Sequence, residues 1–412
     1  MVDLLSYLSL AFAIVIAIPV FILFSESVAA IASTHREAST SLGGSSDRIA
    51  VLVPAHNEEV GIGATLNGIK AQMRPGDRLV VVADNCTDNT ATIAAAAGVE
   101  VTQRHDLIKV GKGYALDWGL RYLKDDPPSI VIIFDADCRF SGDGVRILAD
   151  ACASTGKPVQ ALNLMDAPDE SPIDYRVAML AFRVKNLVRP LGLKAFKLPC
   201  QLMGTGMAFP WRILSAANLA TGSEVEDLKL GLELARTNNA PVFCPSARVL
   251  SQFPLSIEGA KSQRKRWERG HLNVIAKIIP TFLLEAVIKR NIGLLAMVFD
   301  AAVPPLTLLG LLVFLTLFLS AFGALCGLSS LALKVSAVTA VAFGSAVFVS
   351  WLKFGRDVLP LKSVISILPY IVGKLSLYGQ IFFRRRGPSH WVRTARGSRD
   401  SASTRRNGNS SP

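Results

Sequence analysis

Apolar residues fall along this chain in three regimes. From Leu4 to Phe24 they run through LLSYLSLAFAIVIAIPVFILF without a charged side chain. That run is long enough for a helix to cross a bilayer core. From about residue 48 the pattern changes to short apolar runs separated by amphipathic stretches. IAVLVPA (49–55), RLVVVAD (78–84), VEVTQR (99–104) and IVIIFD (130–135) read as strands. Residues 59–71, 87–98 and 112–124 read as the helices between them, the second closed by Gly98. Strands alternating with helices predict an α/β domain with a mainly parallel sheet covered on both faces. After about residue 291 long apolar runs return. Residues 306–325 and 331–352 are the best spans, with Lys334 near the end of the second, where it can snorkel. Residues 292–305 are shorter and interrupted by Asp300 and two prolines, which suits an interfacial segment. Residues 365–383 contain Pro369 and Lys374, so spanning and lying flat both stay open there.

Composition agrees with a membrane protein that carries a soluble domain. Half of the 412 residues are hydrophobic, the mean hydropathy is +0.39 and only 18% are charged. The net charge of +12 is concentrated at the C-terminal end, where Arg384 to Arg406 holds eight arginines and one acid, Asp400. A basic tail at 384–412, disordered towards its end, suits an anionic lipid surface. It carries one aromatic, Trp391, and no nucleic-acid module, so nucleic acid is not an expected partner. None of the six cysteines shows CxxC spacing, which argues for reduced thiols rather than structural zinc or disulfides.

The charges flanking the spans predict a topology. Asp3 precedes the first apolar run and no Lys or Arg does, so a cleaved signal peptide is disfavoured and residues 1–28 read as an anchor. His35 and Arg36 follow it, which places the N-terminus outside and residues 48–275 in the cytosol. Arginines at 384–386 favour a cytosolic end for the membrane region at 291–383. Two later spans, three in all, satisfy both ends.

Candidate chemistry clusters where strands are expected to end, which is where ligands bind on such sheets. Asp135 and Asp137 lie two apart at the end of an apolar run, so both carboxylates can face one site. A pair of this kind suits Mg2+ or Mn2+ carrying a diphosphate, although a turn-capping pair has the same sequence. PAHNEE (54–59) and ADNCTDNT (83–90) bring polar groups to two further strand ends. Lys112 sits between two glycines at a predicted helix start, a place that favours anions, although glycines there also simply shape a turn. Glu226 and Asp227 open a later helix, where acids are common as dipole caps. QRKRWERGH (263–271) precedes the second membrane region and, alone, would pass for an interfacial helix.

Together Asp84, the DAD at 135–137, the ED at 226–227 and a QxxRW formed by Gln263, Arg266 and Trp267 resemble the family 2 glycosyltransferases. The resemblance is to the inverting, membrane-bound, cellulose-synthase-like branch with a GT-A fold, over about 49–275. VVADNCTDNTA, GKGYALDWGLRYL and FDADC look most like bacterial exopolysaccharide-synthesis enzymes of the EpsO-like group. One departure is VED in place of the usual TED. The resemblance implies transfer of a hexose from a nucleotide-diphospho-sugar, UDP- or GDP-linked, to a lipid-linked or growing saccharide at the bacterial inner membrane. Polysaccharide assembly or export proteins would be the partners. It also implies roles. Pro54, His56, Glu58 and Asp84 resemble the nucleoside-binding edge, and Lys112 and Gly113 further nucleotide contacts. Asp135 resembles the residue at the ribose and metal, Asp137 the direct metal ligand and Asp227 the catalytic base beside Glu226. Gln263, Arg266 and Trp267 resemble the motif that holds the acceptor end and the leaving diphosphate.

Other readings fit less of the chain. A nicotinamide oxidoreductase would use GIGATL (61–66), but Leu66 replaces its third glycine. A sugar-1-phosphate nucleotidyltransferase would need a glycine-rich basic loop where HNEE stands. A processive polysaccharide synthase keeps the same motifs, yet two later spans are few for a polymer channel. A catalytically silent scaffold of an export complex has no use for the retained acids.

Overall fold

The computed structural model describes residues 2–33, 46–166, 172–222, 225–254, 257–362 and 378. His35, Arg36, residues 365–377 and 379–383, the arginines at 384–386 and the tail lie outside the described residues.

The first half follows the expected alternation. Helix α1 (Val2–Ser33) is followed by β1 (Ile49–Ala55), α2 (Ile62–Lys70), β2 (Arg78–Asp84), α3 (Thr90–Ala96), β3 (Glu100–Arg104), α4 (Lys112–Leu123) and β4 (Ile130–Ile133). Strand β1 lies at the centre, parallel to β2 on one side and β4 on the other. Helices α2 and α4 cover its two faces, which is why it reads as an unbroken apolar run. Val51 and Val53 pack with Ile62 and Leu66 of α2 on one face. Ala50 and Leu52 pack with Leu116, Leu120 and Leu123 of α4 on the other.

The second half is less regular. It contains β5 (Arg139–Ser141), α5 (Gly144–Thr155), β6 (Val159–Asp166), α6 (Ile173–Arg183), a π-helix at Val184–Val188, α7 (Arg189–Ala195), β7 (Met207–Pro210), α8 (Trp211–Leu214), α9 (Glu226–Arg236) and β8 (Val242–Gln252). The eight strands form one mixed, mostly parallel sheet in the order β3-β2-β1-β4-β7-β6-β8-β5. β7 runs antiparallel to both β4 and β6 and marks the reversal.

A long helix, α10 (Ile257–Lys277), leaves the sheet and meets α11 (Ile279–Ile288) at a 45° bend. Then come α12 (Ile292–Ala301), α13 (Leu306–Leu325) and α14 (Ser330–Phe354). Helices α1, α13 and α14 are long and apolar enough to cross a membrane. At a rise of about 1.5 Å per residue, α12 covers roughly half a bilayer core and is too short to do so. The three long helices pack on one another through small hydroxyls. Ser320 Oγ and Ser336 Oγ lie 3.0 Å apart, and Ser350 Oγ donates to Ser27 Oγ at 3.2 Å.

Helix α1 continues past the apolar run that ends at Phe24, because Glu26 has a partner. Its Oε2 accepts from Arg189 Nε at 3.1 Å, and Arg189 Nη2 reaches Asp300 Oδ1 at 2.5 Å. All three side chains are buried. This triad ties α1 and α12 to α7, so the long N-terminal helix and the sheet domain form one packed body.

Candidate active site

The carboxyl ends of β1, β2 and β4 and the start of α4 meet at one edge of the sheet. A pocket of about 190 Å³ opens there, lined by Pro54, His56, Glu58, Asp84, Lys112, Asp135, Asp137, Gln263 and Arg266 among others. These nine are residues singled out from the sequence, drawn from positions more than two hundred residues apart.

The two acids do not lie on the strand itself. Strand β4 stops at Ile133, and a turn closed by Cys138 N donating to Asp135 O at 3.2 Å carries them. Alternation survives the turn. Phe134, Ala136 and Cys138 are buried, and Asp135 and Asp137 are half-exposed between them. Phe134 stacks on Phe140 with ring centroids 4.2 Å apart. Thr65 Oγ1 donates to Ala136 O at 2.8 Å, so α2 buttresses the turn from behind. Asp135 N donates to Thr205 Oγ1 at 3.1 Å.

Asp135, Asp137 and Cys138 each offer an atom within 4.8 Å of the others, a grouping that could hold a metal. Burial pushes the Cys138 thiol well above its ordinary range, so it stays protonated, and its Sγ–H points at Asp137 Oδ1 at 3.4 Å. The effective donor set is two carboxylates, which fits a hard divalent cation rather than zinc. Gln263 Oε1 is buried and has no hydrogen-bond partner among the described residues, an acceptor left for a ligand.

Lys112 joins the acids to the opposite wall. Its Nζ donates to Asp135 Oδ1 and, at 2.7 Å, to Gly204 O. Burial alone would lower its pKa, but Asp135, Glu226 and Asp227 outweigh burial and raise it above the ordinary value. An ammonium is therefore fixed at the start of α4. Asp227 stands beside it: a Cβ placed on Gly204 would lie 3.4 Å from Asp227 Oδ2 and 3.9 Å from Lys112 Nζ. Glu226 lines a small recess with Lys112 and Asp227. Burial, reinforced by the charge of Asp227, pushes the Glu226 carboxyl up to about 7.

Gly113 turns away from the pocket. A Cβ there would meet Leu219 O at 2.4 Å and Thr221 O at 2.6 Å. It lets the loop that leads to Glu226 and Asp227 lie directly against α4. Trp267 also faces elsewhere, packing on Phe182 at a centroid distance of 6.2 Å. Helix α10 therefore shows Gln263 and Arg266 to the pocket and Trp267 to its other side.

Arg104 escaped the sequence reading. Its Nη1 donates to Asp84 Oδ1 at 2.6 Å, and its Nη2 to Lys109 O at 2.6 Å and Asp106 Oδ2 at 3.1 Å. The signal was present, since β2 and β3 run parallel with Asp84 and Arg104 in register as the last residue of each strand. Thr65, Thr205 and Gly204 were missed as well, and no local pattern marks them. His56 Nδ1 lies 2.7 Å from Asp84 O, which joins the ends of β1 and β2.

The chain is similar to known glycosyltransferases in sequence and in fold. Probable glycosyltransferase YdaM from Bacillus subtilis is 26% identical over 266 residues, 57% of this chain and 58% of that protein. Uncharacterized protein MJ1222 from Methanocaldococcus jannaschii is 43% identical over 91 residues, 22% of this chain and 36% of the other. The chain thus spans less than two thirds of the length of either relative. Among solved structures, the mannosyltransferase PcManGT from Pyrobaculum calidifontis, in complex with GDP-Man and Mn2+, superposes with a TM-score of 0.54 at 16% identity. The superposition covers 92% of this chain and all of that one and shows a shared GT-A fold. Residues 47–270 match the family described as Glycosyltransferase like family 2, and the chain belongs to that family.

Proposed function

We propose that the chain is an inverting hexosyltransferase that moves a sugar from a nucleotide-diphospho-sugar to a lipid-linked saccharide at the inner face of a bacterial cell membrane, in exopolysaccharide synthesis. The observation that carries this reading is the convergence of Asp84, Asp135, Asp137, Gln263 and Arg266 on one pocket beside Lys112. Its two carboxylates and nearby cations match the needs of a metal-bound diphosphate donor.

In this reading Asp84 and His56 hold the nucleoside end, with Arg104 keeping Asp84 in place. Asp135 and Asp137 hold a divalent cation, Mg2+ or Mn2+, which when bound supplies positive charge to the donor diphosphate. Mn2+ was present with GDP-Man in the mannosyltransferase that shares the fold. Asp227 accepts the proton of the attacking acceptor hydroxyl as general base. The new glycosidic bond forms as the bond to the diphosphate breaks, and the anomeric centre inverts in that single displacement. Lys112 and Arg266 face the charge that gathers on the leaving diphosphate. Gln263 Oε1, buried and without a hydrogen-bond partner among the described residues, is placed to accept a hydrogen bond from the ligand.

The test is transfer from radiolabelled UDP- and GDP-sugars to lipid extracts, using full-length protein in lipid nanodiscs. Metal-dependent incorporation into a lipid-linked product is expected. Nucleotide sugars that are neither bound nor turned over, with or without metal, would overturn the reading.

A further inference from the structure

Behind α10 lies a second cavity, of about 140 Å³, that the donor chemistry leaves without an occupant. Trp267 and His271 line it from α10, and Phe182 and Lys185 from α6 and the π-helix. Leu23 of α1 and Leu306 of α13 close the far side. The cavity therefore sits where two membrane-length helices reach the sheet domain. One helix, α10, walls both spaces, with Gln263 and Arg266 on the donor side.

Partners hold several of the charged side chains around this cavity. Arg189 is held by Glu26 and Asp300. Arg264 Nη1 donates to Asp174 O at 3.3 Å, and Glu268 is itself engaged. His271 Nε2 lies 2.8 Å from Ala301 O, and burial pushes the ring down to about 4, so it is neutral. Lys185 has neither a hydrogen bond nor an ion pair among the described residues. Its side chain is exposed and lines the cavity, and the desolvating protein around it lowers its pKa. Asp227 and Asp300 act in the opposite sense and favour the ammonium. The action of Asp227 also shows that Lys185 stands within electrostatic reach of the proposed base. Exposed and without a hydrogen bond or ion pair among the described residues, this ammonium is available to an anion that enters the cavity. Lys185 lies on the π-helix, a feature found often at functional sites.

We propose that this cavity seats the lipid-phosphate end of the acceptor, with Lys185 pairing to the phosphate and Leu23, Phe182 and Leu306 meeting the first carbons of the lipid chain. The apolar walls and the adjoining membrane helices select a lipid phosphate over a free one. The acceptor role rests on the glycosyl-transfer reading of the donor pocket. The lone ammonium and the apolar walls do not.

The experiment measures binding to the full chain in nanodiscs, with three probes: a long-chain polyprenyl phosphate, the matching polyprenol and inorganic phosphate. Wild type should prefer the polyprenyl phosphate to the alcohol by at least about tenfold, the scale of one charge-assisted hydrogen bond. Lys185→Gln should lose that preference and Lys185→Arg should keep it. Nucleotide-sugar affinity should be the same in all three proteins. Equal binding of phosphate and alcohol, an unchanged preference in Lys185→Gln, or displacement by inorganic phosphate as effective as by the lipid would overturn the proposal. A wild type that prefers the lipid phosphate but binds no nucleotide sugar would keep the lipid-phosphate site and sink the donor reading instead.

Discussion

Arg104 Nη1 stands 2.6 Å from Asp84 Oδ1, with the two side chains 7% and 10% exposed. Burial raises the Asp84 carboxyl above its ordinary range, and the hydrogen bond and charge of Arg104 oppose that rise. The guanidinium also lies over the Tyr114 ring at 5.6 Å. Removing Arg104 leaves a buried carboxyl without its cation. Arg104→Met should cost about 3 kcal/mol of stability and shift Asp84 towards its neutral form. Arg104→Lys should retain part of both. Thermal unfolding and nucleotide titration of the two variants check this; an Arg104→Met protein with wild-type affinity would show that Asp84 needs no partner.

Asp137→Ala should remove the metal-dependent part of nucleotide-sugar affinity, by at least about tenfold. The residual, metal-free affinity should match that of wild type, because Asp84 and His56 are untouched. Calorimetry with and without Mn2+ separates the two parts. An equal Mn2+ enhancement in wild type and variant would return the Asp135–Cys138 turn to a purely structural role.

Glu226 gives a pH signature. Its folded pKa of about 7 lies above the ordinary carboxylate value of 4.5. A raised carboxyl contributes stability that is fully present below its unfolded pKa and is lost as pH rises through its folded pKa. Wild type should therefore lose stability relative to Glu226→Gln between roughly pH 5 and pH 8. The expected observation is a melting temperature for Glu226→Gln that gains on wild type across this window. A constant difference between the two proteins would place Glu226 in water, not beside Asp227.

Much of this was legible in the sequence because the informative patterns were local. The runs that became β1, β2 and β4 are apolar because both faces of a central parallel strand are covered. The residue two beyond Asp135 faces the same pocket even though the strand has already ended, because burial of Phe134, Ala136 and Cys138 enforces the alternation. The second half was harder to read. β6 carries polar residues such as Gln160 and Asn163, whose partners come from distant segments. Gln160 Nε2 donates to Thr205 O at 3.0 Å, and Asn186 Nδ2 to Asn163 O at 3.3 Å. No window of sequence contains such pairs. Helix α1 runs on to Ser33 for the same reason, since Glu26 looks like the end of the apolar span until Arg189 is beside it.

Gly113→Ala should disturb the acid helix without touching the donor pocket. The added methyl would lie 2.4 Å from Leu219 O, a backbone atom, so the loop itself must move. Overpacking of this kind costs about 1–3 kcal/mol. Because the loop leads to Glu226 and Asp227, turnover should fall while nucleotide-sugar affinity changes little. A variant with normal turnover would mean that the loop can shift without moving Asp227.

Two cysteines allow the membrane topology to be read from one labelling experiment. Cys326 is exposed at the turn between α13 and α14, and Cys86 is half-buried beside the donor pocket. If α13 and α14 form a hairpin of two spans, their connecting turn lies across the membrane from the sheet domain. Nucleotide sugars are made in the cytosol, so the proposed function requires the donor pocket to face that side. A membrane-impermeant thiol reagent applied to intact spheroplasts should therefore label Cys326 and spare Cys86. Permeabilisation should then expose Cys86, and denaturation should expose the buried Cys138, Cys152, Cys200 and Cys244. Labelling of Cys86 in intact cells would put the donor pocket outside and deprive it of its substrate. Protection of both Cys326 and Cys86 until permeabilisation would place the turn and the domain on the same side, and α13 and α14 would then not be a spanning pair.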